Sequence, residues 1–551
     1  MPDALNNNAA TRPETGNSAA GTKDKRWFAL VVLAVGLAMI VIDGTIVGVA
    51  LPDIIEKLDL NITDAQWVNS LYNVVFAALL LSTGRFADRI GRRKVFIAGV
   101  LTFTAGSIVA ALSAGVSQLI WARVIQGVGG AMILPSTLST VNATFQGKQR
   151  AAAFGVWGAV MSGAAALGPL LGGWLTGSFS WQWIFWVNLP IAALVLAGTF
   201  LWVPETRGNN NRRGVDVDGL LLSAIGFGGL VFGIIEGPKI GWFTPIADMQ
   251  LLGMTWSTTA PVSAAFVSLI IGVVGLVLFY FWERHRAGNG RDAILHLDLF
   301  RLLTFTWGNV AAFAVAVGEF GLVFIMPLYL VNALGLSIMG AGWVLAAMAI
   351  GAFFSGAMAR HLAAAVGAAE TVIIGLVLEL IGVVATGIML SADVKSWLIA
   401  CVLVIYGLGL GLASAQLTST VLRDVPTDAS GQGSATQSTV RQVGAAVGAA
   451  VSGAVLSGSL VSTLPDALHN AGFVGPQFEP LSQAVRASAG SALIGMRGGA
   501  GGVPEAAVSA LSDGFATAAS YSLFAAAGFL AVGLFASMAV RQAANKQSAD
   551  A

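Results

Sequence analysis

Charged residues are scarce: Asp, Glu, Lys and Arg make up only 10% of the 551 positions, against 56% hydrophobic residues. A soluble globular chain of this size does not fold with so apolar a composition, whereas a polytopic membrane protein does. Mean hydropathy is +0.79, in the same sense. There is one cysteine, Cys401, in an apolar run, so no internal disulfide can form. The four histidines are scattered and offer no metal site. No phosphate loop of the form G-x-x-x-x-G-K-S/T occurs, which excludes ATP hydrolysis by that route. The net charge of +1 points to no nucleic acid. Glycine, in contrast, is abundant at 68 residues, as suits closely packed membrane helices.

The segment 1–26 is polar, rich in Asn, Ala and Thr, and reads as a disordered tail. It lacks the apolar core and cleavage site of a signal peptide, so the first apolar run is expected to stay as a span. Runs long enough to cross roughly 30 Å of hydrocarbon centre on Val35, Val75, Thr104, Gly130, Ala164, Ala193, Gly226, Ile271, Val317, Ala349, Ile381, Gly409, Val447 and Phe529, fourteen in all. With the N-terminus placed in the cytoplasm, the inside segments carry Arg85, Arg89, Arg92, Arg93 and Lys94, then Arg207, Arg212 and Arg213, then Arg284, Arg286, Arg291 and Arg301. The outside segments carry only Lys57, Lys239, Lys395, Arg486 and Arg497. This asymmetry predicts cytoplasmic termini.

Two basic linkers, after the sixth and eighth spans, divide the chain. The expected layout is a six-helix bundle over 27–206, an inserted two-helix hairpin over 217–283, and a second six-helix bundle over 302–541 with a long outside loop at 460–514. A cytoplasmic tail, 542–551, closes it. Parallel repeats of this kind place a substrate site near the membrane midplane. Gly84 to Arg89 is faintly echoed by Gly356 to His361.

Several residues stand out against the apolar background. Asp43 lies within the first span, Arg123 within the fourth with Gln126 a turn further on, and Glu319 within the ninth next to Phe320. Ionisable groups at such depth are costly and mark ion or proton paths. Glu319, set among Ala316, Val317, Phe320 and Leu322, is expected to be protonated at rest, and to bind a lipophilic cation when ionised or exchange a proton for it. Glu379 in the eleventh span has similar chemistry. Asn69 and Asn73, one turn apart on the second span, form a polar face suited to a cavity lining, and Trp157 and Met161 repeat that pattern on the fifth. Glu236 reads as interfacial, Trp181 and Trp183 as belt residues. Arg441 reads as either an anchor or a gate partner.

Four stretches resemble the major facilitator superfamily, and within it the fourteen-span drug:proton antiporter group. They are Asp43-Gly44-Thr45-Ile46-Val47-Gly48-Val49-Ala50-Leu51-Pro52, the hairpin Gly84 to Lys94, Arg123-Val124-Ile125-Gln126-Gly127-Val128-Gly129-Gly130, and Gly168-Pro169-Leu170-Leu171-Gly172-Gly173. The resemblance implies an all-α membrane protein with the major facilitator fold. It implies a proton-coupled multidrug exporter of the plasma (inner) membrane, with alternating access, no enzymatic activity and no cofactor beyond the proton gradient. It makes Asp43, Arg123 and Glu319 the proton-coupling candidates. Glu319, Asn69, Asn73, Gln126, Trp157, Met161, Phe320 and Glu379 become substrate-binding candidates, although the eleventh span that carries Glu379 often packs at the periphery of this fold. Gly84, Asp88, Arg89, Gly91 and Arg92 would form a conformational latch, and Gly168, Pro169, Gly172 and Gly173 an antiporter motif sealing the cavity. Gly48 departs from the family, which often has Asn there. The expected partners are a small-molecule substrate, protons and the bilayer, without nucleic acid, and the oligomeric state stays open, a monomer being the expectation. Export of an endogenous lipid-like or specialised metabolite stays open, as does a non-transporting receptor on the same scaffold.

Overall fold

A computed structural model describes residues 19–145, 147–207, 216–251, 254–289, 291, 295, 297–426, 430–497 and 502–550. In chain order the helices are α1 (Ala19–Leu58), α2 (Ile62–Ile90), α3 (Arg92–Ala111), α4 (Val116–Thr144), α5 (Gly147–Ser178), α6 (Trp183–Trp186), α7 (Asn188–Trp202), α8 (Val217–Ile240) and α9 (Ala264–Gly288). After them come α10 (Leu303–Leu328), α11 (Ile338–Val366), α12 (Ala368–Met389), α13 (Ser396–Val421), α14 (Ser430–Asn470), α15 (Glu479–Ala487), α16 (Ala492–Met496) and α17 (Glu505–Asp550). A two-stranded antiparallel ribbon, Met249–Leu251 with Met254–Trp256, lies between α8 and α9.

The local sequence sets where these helices start and stop. Asn61 and Asp64 form a reciprocal capping box at the start of α2, each side chain accepting the other's backbone N–H at 3.0 and 3.2 Å. Ser263 and Ser337 cap α9 and α11 in the simpler way. Between α2 and α3 the chain turns on a single residue, Gly91, at φ +127°, a backbone conformation that side-chain-bearing residues rarely adopt. The α11–α12 turn repeats this on Gly367, at φ +105°. The two turns share a backbone geometry, with Gly367 four residues beyond the position that the sequence echo assigns to Gly91.

Among the described residues, twelve helices are long and apolar enough to cross a membrane, or thirteen when the two parts of α2, bent by 50°, count as one span. The expected count of fourteen is thus not fully reached by this criterion. The 32-residue helix α5 stands where the fifth span was placed and includes side chains outside the described set. Two other boundaries move. The last residues of the expected N-terminal tail, from Ala19, already belong to α1, because good helix formers precede Trp27. The outside loop expected over 460–514 is shorter, because α14 runs on to Asn470 and α17 begins at Glu505.

One apolar cluster gathers around α1–α4 and α7, including Leu33, Phe76, Phe96, Phe103, Ile133 and Val195. A second gathers Phe305, Val372, Leu376, Leu417 and Val421 from the later helices. Between these halves, α1 packs on α10 and α11, α2 on α14, and α5 on α11. The contacts concentrate toward the end that holds the α1–α2 turn, the end the charge asymmetry assigns to the outside. There Gln66 Nε2 donates to the Ala450 carbonyl at 2.7 Å and Ser70 Oγ to that of Ala446 at 3.2 Å. The hairpin helices α8 and α9 pack together, and α8 rests on both α2 and α14. Val231 and Ile235 of α8 meet Val74, Ala446 and Ala450, and Trp67 Nε1 donates to Glu236 at 2.8 Å. Glu236 is therefore a buried tether rather than an interfacial residue. Trp181 is buried as well, against Phe185, while Trp183 is exposed as a belt residue would be.

Candidate functional site

Asp43, Arg123 and Gln126 come together from α1 and α4. Arg123 Nη1 donates to Asp43 Oδ2 at 2.6 Å and to Gln126 Oε1 at 2.8 Å, and Gln126 Nε2 donates to Asp43 Oδ1 at 2.9 Å. Two residues not anticipated from the sequence complete the network. Asn188 of α7 donates to Asp43 Oδ1 at 3.1 Å, and Ser107 of α3 accepts from both Gln126 and Asn188 at 3.0 and 3.1 Å. Arg123 Nε also donates to the Val68 carbonyl, and its guanidinium lies 4.3 Å above the Tyr72 ring. All five network residues are 0% exposed. Gly106 makes the arrangement possible, since a Cβ there would come within 2.8 Å of Gln126 and hold α3 away from α4. Gln126, expected to face substrate, is committed to this network instead.

Glu319 is not the isolated acid its apolar neighbours suggested. Arg441 of α14 reaches it, Nη2 to Oε2 at 3.0 Å, and supplies the countercharge. The side chains are 14% and 34% exposed, so the pair borders open space. One turn along α10, Val323 meets Gly48 of α1, which places Glu319 on the face of α10 turned toward the other half. Phe320 is half-buried next to it. Glu379, on a helix that often packs at the periphery of this fold, is 0% exposed. α12 packs on α13 and α17 and turns Glu379 into the bundle, its Cγ 2.9 Å from where a Cβ on Gly409 would stand. Asn69 and Asn73 are each 4% exposed, and Asn73 donates to the Asn69 carbonyl at 3.2 Å, which ties much of this face to its own helix. Trp157 and Met161 have side chains outside the described residues.

The glycines of the fifth-span motif serve close approach. A Cβ on Gly168 would collide with Thr45, one on Gly172 would lie 2.9 Å from the Ile46 carbonyl, and one on Gly173 would lie 3.1 Å from Gly342 Cα of α11. Pro169 presents its carbonyl to Gly342. In the basic hairpin Arg92 Nε pairs with Asp88 Oδ1 at 2.7 Å, and Nη1 donates to the Ser139 carbonyl at 2.9 Å. Gly91 approaches Glu205, which accepts the Arg93 N–H at 3.1 Å, while Arg89 is exposed. Gly84 packs on Pro135. Asp88 stands at the far end of α2 from the contacts between the halves. Asp88→Asn is therefore expected to slow turnover with only a modest change in substrate affinity, because it biases one conformation over another. Spin-label distances across that face together with initial transport rates check this; no change in either defeats the latch.

The chain matches the model of the Major Facilitator Superfamily over residues 33–291 and 219–449. It is 31% identical to the multidrug resistance protein Stp of Mycobacterium tuberculosis over 417 residues, 76% of this chain and 73% of that one. It is also 31% identical to the methylenomycin A resistance protein of Streptomyces coelicolor, over 76% of this chain and 82% of that one. The solved structure of a bacterial homolog of the human lysosomal transporter Spinster superposes with a TM-score of 0.61 at 16% identity, over 95% of this chain and 98% of that one, a likeness of fold. With two packed halves, a charge network buried in the first and an ion pair bordering open space in the second, the chain is a multi-pass membrane transporter belonging to the Major Facilitator Superfamily.

Proposed function

We propose that this chain exports lipophilic, mainly cationic compounds across the plasma membrane in exchange for protons, by alternating access, with both termini in the cytoplasm. The observation that carries the reading is the Asp43–Arg123 pair. It is sealed from water and held by Gln126, by Asn188 and by the Val68 carbonyl, in a bundle packed largely through apolar side chains. Taking two charges out of water costs several kcal/mol per ion before their attraction offsets it. A fold that keeps such a pair in a membrane uses it. With the halves in contact toward the outside end, the cleft that exposes Arg441 and Glu319 faces the cytoplasm. Substrate enters there. When the halves rock, the cleft turns outward, and protonation of a carboxylate breaks the charge balance and releases the substrate. Relatives named for multidrug and methylenomycin A resistance support drugs and natural antibiotics as the cargo.

Purified protein in liposomes with an imposed pH gradient tests this. Uptake of a lipophilic cation that follows the gradient and stops with a protonophore is the expected result; gradient-independent flux, or none, removes the proposal. Glu319→Gln is expected to weaken cationic substrates by roughly tenfold or more while sparing neutral ones, since the lost attraction is Coulombic. Binding titrations with matched charged and neutral compounds measure it, and equal losses for both would reassign Glu319.

A further inference from the structure

Glu379 sits midway along α12 with no exposed surface, and neither of its carboxyl oxygens has a hydrogen-bond partner. Tyr406 of α13, also fully buried, has an unbonded hydroxyl. An ionised carboxylate left without partners among apolar helices costs several kcal/mol. The packing holds a neutral acid. The charged groups that act on Glu379 are Glu319 of α10 and Arg441 of α14, and Tyr406 is the further titratable neighbour. α17 faces α12 with Ser520 and Phe524 at Gly387, neither of which titrates, and with Arg541, which pairs with Glu370 in the first turn of α12 at 3.1 Å. Arg360 and His361 of α11 lie near the cytoplasmic end of that helix. The charged groups that act on Glu379 are therefore one further acid and one guanidinium, and that guanidinium, Arg441, is bonded to Glu319.

We propose that Glu379 is a second proton-binding site, and that a cation arriving at Glu319 frees Arg441 to turn to Glu379 and release its proton. This rests on the antiport reading above. The charges balance. Before binding, Glu319 carboxylate, Arg441 guanidinium and the neutral Glu379 acid sum to zero. On binding, the cation pairs with Glu319. The O–H bond of Glu379 breaks, its electron pair stays on the carboxyl oxygen, and the proton passes to water in the cleft that exposes Arg441. Cation, two carboxylates and guanidinium again sum to zero. Both states are neutral, as a low-dielectric site demands. A neutral compound leaves Arg441 in place and releases nothing. Asp43 adds nothing to this count, because in this conformation it is already paired with Arg123.

The test needs no turnover. Tetraphenylphosphonium is titrated into purified full-length protein in weakly buffered detergent containing a pH indicator, and its Kd is measured against pH. Wild type is expected to release a single proton per bound cation, with affinity rising roughly tenfold per pH unit while Glu379 holds its proton. Glu379→Gln is expected to bind the probe with no release and a flat pH profile. Glu319→Gln, in which Arg441 is left to pair with an already ionised Glu379, is expected to release none at saturating probe, and Glu379→Leu, whose side chain needs no hydrogen bond at that site, takes the place of Glu379→Gln should the latter fail to fold. Release by either variant at the wild-type level overturns the proposal, as does wild type that binds the probe without release or does not bind it. Gradient-driven cation transport by wild type separates the two levels. If it is present while Glu379→Gln still releases a proton, only the role of Glu379 falls. If it is absent, the antiport reading falls too.

Discussion

Asp43→Asn is expected to abolish pH-gradient-driven export, lowering the initial rate by about a hundredfold or more while the protein still inserts in the membrane. The amide retains the shape and can still meet Gln126 and Asn188, but it cannot carry a proton, and it leaves Arg123 buried without a countercharge. Breaking one side of a buried pair costs about 3–5 kcal/mol, so a lower Tm is expected alongside the lost transport. The double variant Asp43→Asn/Arg123→Gln separates the two effects. With both charges gone, Tm should recover most of its loss, because no uncompensated ion remains. Transport should not return, because the proton site is still missing. Normal gradient-driven export by Asp43→Asn, or recovery of export by the double variant, would show that the pair is only a structural tether.

The next largest effect is expected at Gly342→Val. Gly342 faces Gly173 Cα and the Pro169 carbonyl oxygen, each 3.1 Å from where its Cβ would stand, and both are backbone atoms. Neither side has a flexible end to move aside, so α5 and α11 must separate. Overpacking of this kind costs about 1–3 kcal/mol, and the cost falls only on the state in which these helices touch. That shifts the balance of states by roughly 5- to 150-fold. The expected result is a population with the outside end open and a slow transport cycle. Pairs of spin labels on the outer ends of α5 and α11, in a Cys401→Ser background because Cys401 is exposed, would read it. Unchanged distances with unchanged turnover would mean that the glycine contact is not the seal.

The parts of the site that could be read from sequence are those where a charge interrupts an apolar run. Asp43, Arg123 and Glu319 announce themselves this way, and Gln126 follows from its place one turn after Arg123. Ser107 and Asn188 do not, because small polar residues are common in membrane helices and usually satisfy their own backbone, as Thr104 does with Val100. The available signal was the amide of Asn188 at the start of an otherwise apolar helix. The Glu319–Arg441 pair joins residues 122 positions apart, and helical periodicity says which face a side chain takes but not which helix it meets. The burial of Glu379 was hidden for the same reason, since it depends on which face of α12 meets α13 and α17. The helix ends moved because polar, helix-forming residues continue a helix past the hydrocarbon without changing the hydropathy that marks the span.

The hairpin α8–α9 touches both halves, but by unlike contacts. Toward α2 it has a directional hydrogen bond, Trp67 to Glu236. Toward α14 it meets Ala446 and Ala450, whose methyl groups offer no bond to break. In the proposed cycle, the hairpin is expected to keep its hold on α2 and to slip along α14 as the halves move apart. The two bodies that move in that cycle would then be unequal in cross-section, and the wider one would displace more lipid at each stroke. Turnover should for that reason respond to membrane viscosity, a property of the solvent rather than of the cargo.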